Sequence, residues 1–163
     1  MQPFIEKFVH PGEMHFGDRD TRILTILGSC VAIVAWHPLL VIGGMSHYLL
    51  PGNRSKPRKV LNGRYSEDAL ELLSREFLQR GVGLGECQIK LFGGGNMFPV
   101  HHGAAADQVQ IGHQNIEAAR GLMRRYNLKP MVEHVGGDGH RKLEFEVASG
   151  EVWMRYSPLR MAA

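Results

Sequence analysis

Short apolar runs separated by polar, proline- and glycine-containing stretches recur along the whole chain. Residues 22–27, 31–36, 41–50, 86–92, 130–135, 141–148 and 151–156 read as strands, because the runs are short and β-branched residues are frequent in them. Residues 4–16 read as short strands or irregular edge structure. Two segments carry a helical stripe instead. Over residues 66–80, Ala69, Leu70, Leu73 and Phe77 fall on one face, Ser66 is placed to cap the start, and Gly81 to stop the end. Over residues 112–126, Ile116, Ala119, Met123 and Tyr126 share a face. Each stripe must pack on a sheet, so the pattern predicts an α/β fold. No repeat or linker divides it, so residues 1–163 read as a single domain. Residues 51–64 are polar and basic and read as a surface loop. Residues 93–107 read as a long loop opening on Gly93-Gly94-Gly95.

Two pairings follow from the turns. Ser149-Gly150 suits a two-residue hairpin, which sets Leu143 against Tyr156, Phe145 against Met154 and Val147 against Val152, all apolar on one face. A turn centred between Pro38 and Leu39 sets Trp36 against Val41 and Cys30 against His47. Directly opposed side chains have Cβ atoms about 4.5–5.5 Å apart, a separation suited to proton exchange between a thiol and an imidazole. Such a base matters because cysteine is a weak nucleophile until its thiolate forms. A bulge at Gly43-Gly44 would shift this register.

Composition narrows the classes. The chain has 163 residues, enough for a real core. A formal charge of +3 and a pI near 9.0 are mildly basic, short of the excess typical of a nucleic-acid binder. Cys30 and Cys87 are the only cysteines, which argues against a disulfide framework and for a reducing compartment. The apolar stretch over 27–50 is broken by His37-Pro38, Gly43-Gly44 and His47, so a membrane helix is not expected. Leu27-Gly28-Ser29-Cys30 mimics a lipoprotein cleavage box, but Asp18, Arg19, Asp20 and Arg22 stand too close upstream. A cytoplasmic protein is expected.

Cys30 is the candidate nucleophile, at a sharp Gly28-Ser29 turn that can present its thiol and its backbone N–H. The alternative is a buried structural cysteine. His47 is the candidate base. Gly93-Gly94-Gly95-Asn96 follows a strand, but lacks the spacing of a nucleotide-binding loop. Close backbone approach near a site, with Asn96 as an amide contact, stands beside a plain flexible loop. His101, His102, His113, His134 and His140 are scattered without metal-site spacing, so no metal or other cofactor is expected. Cys87 reads as core. The basic loop residues Arg54, Lys56, Arg58, Lys59 and Arg64 read as solvated surface, or as a rim for an acidic protein.

LGSC followed by VAIVAWHP and GGMSHYLLP, then GGGNMF, IGHQNIEAA and VGGDGHRKLEFEVASGEV, closely resembles the chemoreceptor glutamine deamidases, CheD. The resemblance runs from about residue 13 to 156. It implies a cysteine amidohydrolase that converts glutamines of methyl-accepting chemotaxis receptors to glutamate and hydrolyses glutamate methyl esters. It also implies a sandwich of mixed β-sheets with two main helices, like the catalytic domain of the cytotoxic necrotizing factors, and pairing with a CheC-type phosphatase. Cys30 takes the place of the family's nucleophile and His47 of its base. The family's third member is a threonine six positions before the cysteine, where Leu24 stands; threonine comes one residue later, as Thr25. Three candidates remain for that place: Thr25 rotated inward by a bulge, a backbone carbonyl, or Thr21. Another cysteine hydrolase would share the same nucleophile and base.

Overall fold

The computed structural model describes residues 3–52, 60–98 and 104–159. Among the described residues, nine strands and two α-helices build three layers. The strands are β1 (Ile5–Phe8), β2 (Met14–Gly17), β3 (Thr21–Leu27), β4 (Val31–His37), β5 (Ile42–Tyr48), β6 (Gln88–Gly93), β7 (Pro130–Val135), β8 (Gly139–Glu146) and β9 (Val152–Pro158). The helices are α1 (Ser66–Leu78) and α2 (Ala104–Arg125). One sheet has the order β1-β3-β8-β9 and the other β2-β5-β4-β6-β7. Both are mixed, since β1 pairs with β3 and β6 with β7 in parallel. The α/β class and the two-sheet, two-helix plan agree with the sequence.

The central strand β4 is covered on both faces, as its unbroken apolar run requires. Val31, Ile33 and Ala35 join a core with Leu70, Leu73 and Phe77 of α1 and Ile116, Ala119 and Met123 of α2. Ala32 and Val34 join a second core with Ile23, Leu27, Leu143 and Phe145 of the facing sheet. Both helices therefore lie on one side of the five-stranded sheet, and the four-stranded sheet closes the other.

Several local expectations are corrected. The β4–β5 ladder pairs Ala32 with His47 and Trp36 with Gly43, so the register sits two residues from the predicted one. The loop is longer than a two-residue turn, because Val41 takes a left-handed φ of 52° and leaves the ladder. No bulge occurs at Gly43-Gly44. Those glycines answer packing instead: a Cβ on Gly43 would lie 2.7 Å from Phe145, and one on Gly44 2.7 Å from Leu73. The β8–β9 hairpin is also displaced by two, pairing Leu143 with Met154 and Phe145 with Val152. An even displacement keeps each side chain on its predicted face. Tyr65, not Ser66, is the N-cap of α1, and the Ser66 hydroxyl donates to the Pro51 carbonyl. Helix α2 begins eight residues earlier than predicted, and Tyr126 beyond its end is exposed. The loop residues Arg54, Lys56, Arg58 and Lys59, and His101-His102, lie outside the described residues.

Candidate active site

Cys30 stands one residue before β4, in a turn whose carbonyls are held from one side. The Gly94 N–H donates to the Cys30 carbonyl at 2.8 Å and the Gly95 N–H to that of Gly28 at 2.9 Å. Such contact requires glycine: Gly93 has a φ of 111°, and a Cβ there would lie 2.2 Å from the Cys30 oxygen. The triple glycine is thus a close-approach device rather than a nucleotide loop. The Asn96 N–H donates instead to the Gly137 carbonyl, between β7 and β8, and its side-chain oxygen accepts the Phe98 N–H. Cys30 is half-buried and packs against the core between the sheets. Burial pushes its thiol up from the ordinary value.

His47 projects into the same inter-sheet layer. It shares its face with Ala32, and Cys30 is its diagonal neighbour across the ladder rather than its direct partner. Its backbone is clamped by the turn before β2: the His47 N–H donates to the Glu13 carbonyl and its own carbonyl accepts the Gly12 N–H. The ring is 2% exposed. Burial, the largest influence, drives it down to about 4, against smaller upward pulls from the Val9 carbonyl and Glu13, while His10 adds a downward one.

Thr25 lies on the inward face of β3 with Ile23 and Leu27, while Leu24 points outward. The β3–β8 register is regular throughout, so no bulge turns it in. Its Oγ1 is 2.8 Å from His47 Nδ1 and donates to the Val9 carbonyl at 2.7 Å. A hydroxyl has one proton, and the Val9 carbonyl can only accept it. The Oγ1 must therefore accept at its other contact, so His47 carries its proton on Nδ1. The second ring nitrogen, Nε2, is left as a lone pair, and it is buried without a partner among the described residues. Thr21 is also buried on this face, but Thr25 is the threonine bonded to His47.

The structure thus brings Cys30, His47 and Thr25 to one layer, two from the five-stranded side and one from the facing sheet. In this resting arrangement Cys30 Sγ and His47 Nε2 are not hydrogen-bonded. Cys87 lies apart, half-buried, with its Sγ 3.7 Å from the Gly83 carbonyl. The broad groove between α1 and α2, lined by Gly52, Glu67, Gln114 and Arg125, includes neither Cys30 nor His47. No described helix is long and apolar enough to cross a membrane.

Residues 49–156 match the family described as CheD chemotactic sensory transduction. The chain belongs to the CheD family. It is 46% identical over 151 residues to the "Probable chemoreceptor glutamine deamidase CheD 3" of Dechloromonas aromatica (strain RCB), covering 93% of this chain and 87% of that one. It is 44% identical over 154 residues to the "Probable chemoreceptor glutamine deamidase CheD" of Pseudomonas fluorescens (strain SBW25), covering 94% and 86%. A protein of the same name from Nitratidesulfovibrio vulgaris is 36% identical over 148 residues, covering 88% and 73%. The CheD family match begins at Leu49, after the candidate nucleophile and base. The longer alignments with single relatives extend to the amino-terminal side of it.

Sequence reasoning missed three features of this CheD-family site. The Val9 carbonyl and the Gly12-Glu13 clamp come from irregular backbone that no side-chain pattern announces. Asn115 of α2 donates from Nδ2 to the Ser29 and Leu49 carbonyls. Its signal was present: a polar residue one turn before Ala119, inside an apolar stripe.

Proposed function

We propose that this chain is a cysteine-dependent deamidase that converts glutamine side chains of chemoreceptors to glutamate in chemotaxis, acting in the cytoplasm. The observation that carries this reading is His47: Nδ1 is anchored on Thr25, and an unpartnered Nε2 lone pair lies buried on the face that Cys30 shares. Family membership supplies the substrate class, through the names its relatives bear.

Burial raises the thiol and lowers the imidazole, so the resting pair is neutral rather than a thiolate–imidazolium couple. Proton transfer therefore accompanies attack. As Cys30 Sγ bonds to the amide carbon of the glutamine, its proton passes to His47 Nε2. The carbonyl oxygen takes up the electron pair and is met by the Cys30 N–H, which donates to no carbonyl among the described residues. The tetrahedral species expels the amide nitrogen, which takes the proton from His47 and leaves as ammonia. Water gives a proton to Nε2 and attacks the thioester, and the thiol departs with that proton restored. Glutamate remains. Thr25 holds the ring in the tautomer this sequence needs. The same steps serve a glutamate methyl ester, with methanol as the leaving group. No cofactor enters.

A single CheD-like domain over residues 1–163, akin to the catalytic domain of the cytotoxic necrotizing factors, accommodates this chemistry. Binding to a CheC-type phosphatase is a second role, compatible with the first because it needs the surface and not the thiol.

The test uses a receptor cytoplasmic fragment and mass spectrometry. The protein should add about one dalton per converted glutamine, and Cys30→Ala should add none while keeping the fold. Conversion undiminished in Cys30→Ala would remove cysteine dependence, and no conversion by the wild type on its cognate receptor would remove the substrate.

A further inference from the structure

Asn115 is fully buried in α2, yet it is polar on every side that matters to the site. Its Nδ2 donates to the Ser29 carbonyl at 3.0 Å and to the Leu49 carbonyl at 2.8 Å. Its own carbonyl accepts the Tyr48 hydroxyl at 2.5 Å. The amide orientation is fixed by this environment, because the reverse would set Oδ1 against two carbonyl oxygens. Oδ1 itself is buried without a partner among the described residues. An unpaired buried acceptor is unfavourable, and an apolar side chain would avoid it. What the position retains is a two-pronged donor.

The two prongs end beside the two reactive groups. Ser29 immediately precedes Cys30, while Tyr48 and Leu49 immediately follow His47. The β4–β5 ladder cannot do this work, because its last pair is Val31 with Tyr48 and Cys30 lies beyond it. Holding the Ser29 oxygen on Asn115 has a further effect. In a trans peptide the N–H points opposite the C=O, so the Cys30 N–H is turned away from the Asn115 amide, and it donates to no carbonyl among the described residues.

We propose that Asn115 is a positioning residue of this site: it holds the turn carrying Cys30 in line with the strand end carrying His47, and orients the Ser29–Cys30 peptide. This builds on the nucleophile and base assigned above.

Cys87 provides an internal reference for the test. Iodoacetamide labelling of both cysteines, followed by peptide mass spectrometry, reads each thiol separately and needs no receptor. In Asn115→Ala, Cys30 should label about fivefold more slowly or worse, since His47 no longer assists it, while Cys87 stays within about twofold. On a receptor fragment, kcat should fall about tenfold or more with KM within about twofold. Cys30 labelling that is unchanged, or that rises together with Cys87, would overturn the inference, because general loosening exposes both thiols. Should Asn115→Ala fail to fold, Asn115→Ser keeps one donor and is read by the same ratio. Slowed Cys30 labelling in a protein whose wild type converts no receptor would sink the substrate and leave the positioning role standing. A converting wild type matched by Asn115→Ala in both readouts would sink the positioning role alone.

Discussion

Acidification should destabilise this protein through His47 in a way that can be calculated in advance. The ring titrates near 6.5 when unfolded and is driven down to about 4 when folded. The unfolded state therefore binds the proton first as pH falls, and stability is lost between those two values. Above about pH 7.5 both states are neutral and the contribution vanishes. At about 1.4 kcal/mol per pH unit, the full interval amounts to about 3 kcal/mol below pH 4, of which about 2 kcal/mol is reached at pH 5. Against a total stability of about 5–15 kcal/mol, this is a large share. Other groups add to the pH dependence of stability, so the informative quantity is a difference. Urea unfolding should be measured for the wild type and His47→Gln at pH values between about 7.5 and 5. Glutamine has no proton to gain, so the wild type should lose about 2 kcal/mol more than the variant across that range. A difference that stays flat would refute a ring whose charged form is disfavoured by burial.

Two further outcomes follow from the same geometry. Thr25→Val removes the oxygen that accepts His47 Nδ1–H and should lower stability by about 1–3 kcal/mol and kcat about tenfold or more, whereas Thr25→Ser should restore most of both; denaturant titration and receptor-fragment kinetics check this. Gly93→Ala forces a Cβ toward the Cys30 carbonyl at a φ that alanine resists, and should reduce stability by about 1–3 kcal/mol with a larger proportional loss of turnover than of receptor binding; a variant with wild-type turnover would show that the glycine contact does not shape the turn.

Faces were far more legible in the chain than registers. Both hairpins came out displaced by two residues, and both kept their side chains on the expected side. Alternation is a property of each strand by itself, whereas register depends on how many residues the loop absorbs, and Val41 in a left-handed conformation gave little warning. Cys30 and His47 consequently reached the same layer for the right reason but in a diagonal, not opposed, relation. Neighbouring strand residues point to opposite faces, and in β3 the outward one is Leu24, so Thr25 faces inward without a bulge. Which residue of the facing sheet would meet His47 depended on how two sheets stack, and no periodicity within one strand reports that. Asn115 was readable as an anomaly on an apolar stripe, but its partners, two main-chain oxygens from separate elements, were not.

The imidazole and the hydroxyl that steadies it belong to different sheets, joined by a single bond through the sandwich interior. Under the proposed mechanism, catalytic competence would report on how the two halves of the β-sandwich are seated against each other. A slide of one sheet by a fraction of a residue would release the ring while leaving every strand intact. Heat or denaturant that loosens the four-stranded half should silence the protein before any loss of secondary structure is visible.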